Sequence, residues 1–208
     1  MRRTKLILRV LATCLTLSLP SLSAANPIVD TGTPSVADGF NFPFNQTQYF
    51  AGEFTIVDSY VIQTIEGYFG NSLFGSASTV DIAIHADGGN TPGAIKFMAS
   101  TPLAALAPLG WYGVSGLNQI LTPGTYWASF KPSSGISGTM PGVAPNPLSE
   151  YAFATSTGWV DQGPNINDHI GLGVRINGDL VSVPDSTSTL SLLMGVALLG
   201  FVAQRLWT

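Results

Sequence analysis

The sequence predicts an all-β protein, folded as an antiparallel two-sheet β-sandwich of the jelly-roll type, on the basis of three observations. Short runs alternate apolar and polar side chains, which is the period of a strand with one buried face. Gly, Pro, Ser and Asn separate these runs, and no segment between residues 26 and 183 keeps a helical period for ten residues. About eight such runs share one segment of ordinary domain size, which is typical of a two-sheet sandwich.

Three of the predicted strands alternate cleanly, over residues 80–85, 125–130 and 169–176. Their predicted buried side chains are Val80, Ile82 and Ile84, then Tyr126, Ala128 and Phe130, then Ile170, Leu172, Val174 and Ile176. Less regular strands are predicted near residues 49–56, 60–69, 95–100, 111–117 and 151–155.

The connecting segments differ in what they predict. Residues 87–93 read Asp-Gly-Gly-Asn-Thr-Pro-Gly, which is a dense cluster of turn formers between two strands. Residues 132–147 are rich in Gly, Ser and Pro and too long for a hairpin, so they predict a flexible or functional surface loop. Residues 26–44 predict an extended lead-in before the main domain at 45–182.

The N-terminal end has the pattern of a secretory signal peptide over residues 1–25. Four basic residues precede an apolar run at 10–19, and Ser23-Ala24-Ala25 offers small residues for cleavage before Asn26. An uncleaved N-terminal anchor is the alternative. The one cysteine, Cys14, lies inside this segment. The mature chain would then form no disulfide and no thiolate metal site.

The C-terminal end, residues 183–208, predicts a membrane-inserted sorting tail. Residues 190–203 are apolar, and a helix of that length at ~1.5 Å per residue is shorter than the ~30 Å bilayer core. Flanking residues extend the predicted transmembrane helix to about 189–207, with Arg205 on the cytoplasmic side. The alternative, a buried core helix, would have little to pack on in a β-patterned domain.

The tail resembles the PEP-CTERM sorting tails of Gram-negative bacteria, in the variant that begins Val-Pro-Asp-Ser-Gly. Here the motif is Val183-Pro184-Asp185-Ser186, with Thr187 in place of Gly. Arg205 stands alone where the family often has a basic cluster. The resemblance implies a signal peptidase and an exosortase-like enzyme as processing partners. It also implies transient membrane attachment through the C-terminal helix, before the tail is cut or exchanged for a surface anchor.

The central region is loosely similar to the choice-of-anchor extracellular β-sandwich domains. The similarity rests on the strand at 80–86 that runs into residues 87–93, and on Leu-Thr-Pro-Gly-Thr-Tyr-Trp at 121–127. It spans about fifty residues and implies an extracellular sandwich without assigning catalytic residues.

Charge excludes some partners. Between residues 26 and 183, three cations (Lys96, Lys131, Arg175) and eleven acidic residues give a net charge of −8, against −4 for the whole chain. Nucleic-acid binding depends on neutralising phosphates with cations, so such an acidic segment is a poor nucleic-acid ligand.

Catalytic signals are weak. His85 and His169 are predicted to be solvent-exposed strand residues, and no Gly-x-Ser-x-Gly nucleophile motif accompanies them. A glycoside hydrolase needs two carboxylates across a cleft. Candidates for such a pair are Glu53, Glu66 and Asp81. They lack the paired spacing on one strand seen in sandwich hydrolases, so the sequence favours a protein that is not an enzyme.

Two kinds of binding site remain as hypotheses. Asp161, Asn165, Asn167 and Asp168 place four oxygen-bearing side chains within eight residues, which suits a structural calcium ion. Asp87 with Asn90 is a smaller set, and ordinary Asx turns explain both. Trp159, beside a turn-rich loop, is the better candidate for stacking on a sugar ring. Trp127 is a second candidate, although a central strand often buries both faces.

The sequence as a whole predicts a protein exported through the inner membrane to the cell surface or extracellular matrix. The expected role is structural or adhesive within the envelope or an extracellular polymer matrix. A carbohydrate-binding module of the same fold, contacting extracellular polysaccharide, is the alternative, and a small glycan hydrolase is less favoured. No cofactor is expected other than the structural calcium.

Overall fold

A computed structural model describes residues 26–35, 41–72, 74–155, 157–163 and 171–181. These ranges hold twelve strands: β1 (Asn26–Asp30), β2 (Asn41–Asn45), β3 (Tyr49–Ile56), β4 (Tyr60–Asn71), β5 (Ser78–Asp87), β6 (Pro92–Leu103), β7 (Gly110–Leu121), β8 (Gly124–Pro132), β9 (Ser137–Pro141), β10 (Tyr151–Thr155), β11 (Gly158–Asp161) and β12 (Val174–Leu180). Within them there is no helix long and apolar enough to cross a membrane. The predicted signal peptide and sorting tail lie outside the described residues.

The strands form two antiparallel sheets, so the prediction of an all-β chain with two such sheets is confirmed. Sheet I has the order β1-β12-β4-β9-β2, with β7 also paired to β4. Sheet II has the order β11-β10-β3-β8-β5-β6. The long strand β4 organises sheet I because it pairs with β12, β7 and β9.

The inner faces of the two sheets meet in one apolar core. Phe69 of β4 and Phe130 of β8 join the sheets, with ring centroids 6.1 Å apart. Gly67 makes this approach possible, because a Cβ there would lie 2.7 Å from the Phe130 ring. Phe44 of β2 packs on the other side of Phe69 at 4.9 Å between centroids.

The strands predicted at 80–85 and 125–130 are confirmed, whereas the strand predicted at 169–176 begins only at Val174 in the described residues. Val80, Ile82 and Ile84 of β5 are buried in the core, as are Tyr126, Ala128 and Phe130 of β8. Leu172, Val174 and Ile176 are buried too, while Ile170 lies outside the described residues. The strands predicted at 49–56 and 151–155 coincide with β3 and β10. Local alternation identifies these strands because each keeps one face on the core.

Two segments that were predicted to be connections contain strands. The prediction of a surface loop at 132–147 was wrong in its centre, because β9 lies there and Ile136, Met140 and Ala144 are buried. β9 pairs with β2 along its whole length. Of the expected lead-in at 26–44, residues 26–30 form β1 and residues 41–44 belong to β2, both in sheet I.

The turn predicted at 87–93 is confirmed as the link between β5 and β6. Gly89 and Asn90 adopt positive φ values of 84° and 62°. The Gly88 N–H donates to the Thr91 carbonyl at 2.9 Å, which closes the turn. Gly and Asn tolerate this left-handed backbone better than other residues do.

β6 is the outermost strand of sheet II beside β5. Phe97 is opposite Ile84, and Ile95 is opposite His85. The register shift between these pairs leaves Lys96 with no residue opposite it on β5. The extra residue is a β-bulge, which strengthens the local twist. Pro92 and Pro102 lie close to the two ends of this strand.

We expect Phe130→Ala to lower the free energy of unfolding by about 3–5 kcal/mol, because it empties the contact that joins the two sheets. Phe74→Ala is the matched control, since that ring is 91% exposed and its loss should change stability by less than about 0.5 kcal/mol. Chemical denaturation of the purified full-length chain measures both values. Equal effects in the two variants would contradict the assigned core.

Candidate functional site

The candidate site lies on the outer face of sheet II, where the register aligns residues from neighbouring strands. Trp159 of β11 is opposite Ala154 of β10, which is in turn opposite Tyr49 of β3. Because Ala154 is small, the two rings meet across it, edge to face, with centroids 5.2 Å apart. Trp159 is half-buried, so part of its ring remains open to solvent.

Tyr49 also lies under a cation. Lys131 follows the same outer face on β8, and its Nζ lies 5.5 Å from the Tyr49 ring centroid. A cation over an aromatic face is attracted by the negative charge density of the ring. Trp159, Tyr49 and Lys131 together form what we call the outer aromatic group.

Trp127 lies beneath this group and does not reach the surface. Its ring is fully buried against Ala51 and Ala152, and Trp159 packs on the same cluster. The indole Nε1–H donates to Asp87 Oδ1 at 3.1 Å, which satisfies the one polar atom of the ring. Trp127 therefore offers no ring face to a ligand and instead supports Trp159 from below.

His85 differs from its prediction. The alternation correctly predicted that it faces outward, but it is 6% exposed and not solvent-exposed. The Trp159 ring lies 6.0 Å from the imidazole centroid, and Trp127 is its neighbour on β8. Large aromatic side chains on the outer face therefore bury it. His169 lies outside the described residues.

The hydrogen bonds of His85 define its tautomer. Nδ1 lies 3.0 Å from the Gly93 carbonyl oxygen, which only accepts, so Nδ1 carries the proton. In the neutral ring Nε2 then accepts from the Ser129 hydroxyl at 2.9 Å. Burial lowers the pKa of His85 below its usual value, although the Gly93 carbonyl acts in the opposite direction. The neutral imidazole of His85 and the hydroxyl of Ser129 are thus hydrogen-bonded to each other on the outer face of sheet II.

Three carboxyl groups gather at the side of the same face. Desolvation raises the pKa of Glu150, and the neighbouring carboxylates of Asp161 and Glu53 raise it further. Glu53 Oε1 accepts a hydrogen bond from the Ser149 hydroxyl at 3.2 Å. The described residues contain no group of three or more His, Cys, Asp or Glu side chains arranged to hold a metal ion.

Of the residues in the two calcium hypotheses, the structure describes Asp161, Asp87 and Asn90. Asp161 Oδ1 accepts the Gly163 N–H at 2.6 Å, and Asp87 Oδ1 accepts the Gly89 N–H at 3.1 Å, so both form Asx turns. Asn165, Asn167 and Asp168 lie outside the described residues. The four-residue calcium site therefore stays a prediction.

The three carboxylates considered for glycoside hydrolysis do not come together. Glu66 is on β4 of sheet I, whereas Glu53 and Asp81 are on sheet II. β8 separates the latter two, and their partners Trp127 and Lys131 are four residues apart. Neighbouring strands lie ~4.8 Å apart and a strand rises ~3.4 Å per residue, so the Cα atoms of Glu53 and Asp81 are about 17 Å apart. That is well beyond the ~5–9.5 Å that hydrolysis requires.

The outer face of sheet I carries a group that was not anticipated. The Arg175 guanidinium lies 3.9 Å from the Trp111 ring centroid, and its Nε donates to Asp30 Oδ1 at 3.1 Å. Desolvation tends to raise the pKa of Asp30, but the Gly32 N–H and Arg175 outweigh it and lower that pKa. Asp30 and Arg175 are neighbours because β12 pairs with β1, and Trp111 lies on β7, which pairs with the other side of β4; no local pattern indicates either pairing.

Comparison with known proteins adds no family to this description. No protein-family model matches the chain, and no curated protein is significantly similar to it. The fold and the outer aromatic group are therefore the features from which function must be inferred.

We expect the stability of the protein to fall between pH 7.5 and 5.0 through His85. Its pKa is lower in the folded chain, so the unfolded chain binds more protons once the pH falls below about 6.5. The His85→Gln variant removes this titration but keeps a polar side chain. Urea unfolding at the two pH values should therefore show a smaller loss in the variant than in the original protein. An equal loss would show that His85 does not contribute.

Proposed function

We propose that this is a secreted, surface-sorted structural or adhesive protein of the bacterial envelope or extracellular polymer matrix, and not an enzyme. In this proposal the two packed sheets form a jelly-roll-like β-sandwich between an N-terminal signal helix and a C-terminal sorting helix. The pattern of both sequence ends supports export, and the acidic charge of residues 26–183 opposes a role with nucleic acid.

The half-exposed Trp159 ring is the observation that carries the adhesive role. It stands on Tyr49 at 5.2 Å and packs over the buried Trp127, so its orientation is held before any ligand arrives. A pre-ordered aromatic ring loses little conformational entropy when it binds. Such a ring at the side of a sheet suits contact with an extended polymer.

A carbohydrate-binding module of the same fold is the alternative, and the outer aromatic group favours it specifically. Sugar rings present apolar C–H faces and a rim of hydroxyl groups. The Trp159 ring matches the faces, and the exposed Lys131 beside Tyr49 offers hydrogen-bond donors to the rim. Trp127 takes part only as the support beneath Trp159. The glycan hydrolase is less favoured because Glu53, Glu66 and Asp81 lie far apart.

The route to the surface is part of the same proposal. A signal peptidase would release residues 1–25, and the C-terminal helix would hold the chain in the membrane. An exosortase-like enzyme would then cut near Val183-Pro184-Asp185-Ser186, with Arg205 on the cytoplasmic side of the helix. The protein would end at the cell surface or in the extracellular matrix, where extracellular polysaccharide is the expected contact.

Trp159→Ala should weaken the binding of the purified protein to a panel of extracellular polysaccharides by at least about tenfold, or abolish it. The reason is that the variant removes the stacking surface. Trp111→Ala is the matched control on sheet I and should bind like the original protein. Affinity electrophoresis or isothermal titration measures the difference. An absence of polysaccharide binding by the original protein would count against the adhesive and carbohydrate-binding roles alike.

The mature protein extracted from the cell surface should lack residues 190–203. Intact-mass spectrometry checks this and gives the mass of any group attached in exchange. A Pro184→Ala variant should be processed less efficiently, whereas the conservative Thr187→Ser variant beside the motif should be processed normally. A surface protein that retains the complete helix would contradict the sorting route.

A further inference from the structure

A cavity of about 270 Å³ opens between the two sheets, at the side where sheet I ends in β2 and sheet II ends in β10 and β11. Tyr151 and Phe153 of β10 line it, whereas Ala154 of the same strand lies between the Trp159 and Tyr49 positions of the outer aromatic group. Aromatic rings and two amide side chains line it. The lining residues are Phe42, Gln48, Phe50, Tyr151, Ala152, Phe153 and Gln162.

The walls of the cavity are aromatic and held in place. Phe42 of β2 and Phe50 of β3 meet with centroids 5.6 Å apart and planes inclined at 58°. Tyr151 is buried, and its hydroxyl accepts the Leu148 N–H at 2.8 Å. Burial raises the pKa of Tyr151 to about 12, so the ring stays neutral at all physiological pH values. The cavity therefore has rigid apolar walls.

The amide of Gln48 is positioned by its turn. The Gln48 N–H donates to the backbone and side-chain oxygens of Asn45, at 3.1 and 3.0 Å, and the Gln48 carbonyl accepts the Asn45 N–H at 3.0 Å. These bonds hold the backbone of Gln48 but leave its side-chain amide for other partners. That amide can donate and accept hydrogen bonds at the rim of the cavity.

Gln162 supplies the second amide from the opposite side. Its N–H donates to the Tyr151 carbonyl at 3.0 Å, which extends the pairing of β10 and β11 by one residue. Its side-chain Nε2 donates to the Asp161 carbonyl at 3.0 Å, and its Oε1 can accept a hydrogen bond. The side-chain amides of Gln48 and Gln162 thus add hydrogen-bond donors and acceptors to the lining of an aromatic cavity.

We propose that this cavity binds a single neutral pyranose ring, such as one hexose unit of an extracellular glycan. Its volume lies just below the range of about 300–1,000 Å³ typical of pockets for drug-sized ligands, so its ligand is no larger than one ring. Apolar walls match the C–H faces of the sugar, and the amides match its hydroxyl groups. No charged side chain is among the lining residues. The ligand is therefore uncharged.

This inference rests on the proposed function in that it names a sugar unit, but it uses a different surface from Trp159. Both sites include residues of β10 or β11, the strands that end sheet II. A glycan chain that passes around the short strand β11 would reach both of them. In this proposal the cavity recognises one sugar ring, and the outer face stacks on another part of the glycan.

The test is isothermal titration of the full-length protein with the methyl pyranosides of glucose, mannose and galactose, and with indole as an apolar probe. At least one glycoside should bind, and Gln48→Ala should weaken it about tenfold, the effect of one lost hydrogen bond. Gln162→Ala should do the same. Gln46→Ala is the matched control in the same turn, because that side chain is exposed and does not line the cavity.

The outcomes separate the cavity from the proposed function. Polysaccharide binding that depends on Trp159, without binding of any glycoside, would overturn the cavity proposal alone. Glycoside binding that Trp159→Ala removes and Gln48→Ala leaves intact would also overturn it. Binding of indole in preference to every glycoside, unaffected by the two Gln variants, would identify an apolar site instead.

Discussion

The structure depends on the burial of β8 on both faces. Phe130 and its neighbours on one side fill the core, while Trp127 and Ser129 on the other side are also shielded from water. A polar atom shielded in this way is costly unless it finds a partner. The Trp127 Nε1–H finds Asp87, and the Ser129 hydroxyl finds His85. These pairings define the outer face of sheet II.

The functional surface follows from that second layer. Because Ala51 and Ala152 are small, the Trp127 ring can lie against the sheet, and Trp159 can then pack over the cluster from β11. The exposed part of Trp159 is thus the outermost part of a stack that begins in the middle of the sheet. The proposed adhesion through Trp159 and the proposed sugar cavity near Phe42 both use the side of the fold where the layers end, away from the central packing.

The sequence predicted what depends on local period and missed what depends on distant pairing. Val80, Ile82 and Ile84 alternate within one strand, so their burial was predictable. β9 was not, because Ser137–Pro141 is short and is stabilised by β2, which lies about ninety residues earlier. The direction of His85 was predictable, but its burial was not, since Trp159 covers it from another strand. Gln48 and Gln162 line one cavity only in the folded chain.

The free edge of β6 bears on how copies of the protein behave when they are crowded. An unpaired strand edge can template the growth of a foreign strand, and natural sheets prevent this with Lys, Pro and bulges. β6 has all three, in Lys96, in the proline at each end and in the register shift beside Ile95. The longer edge of sheet II therefore carries its own barrier against pairing with a foreign strand.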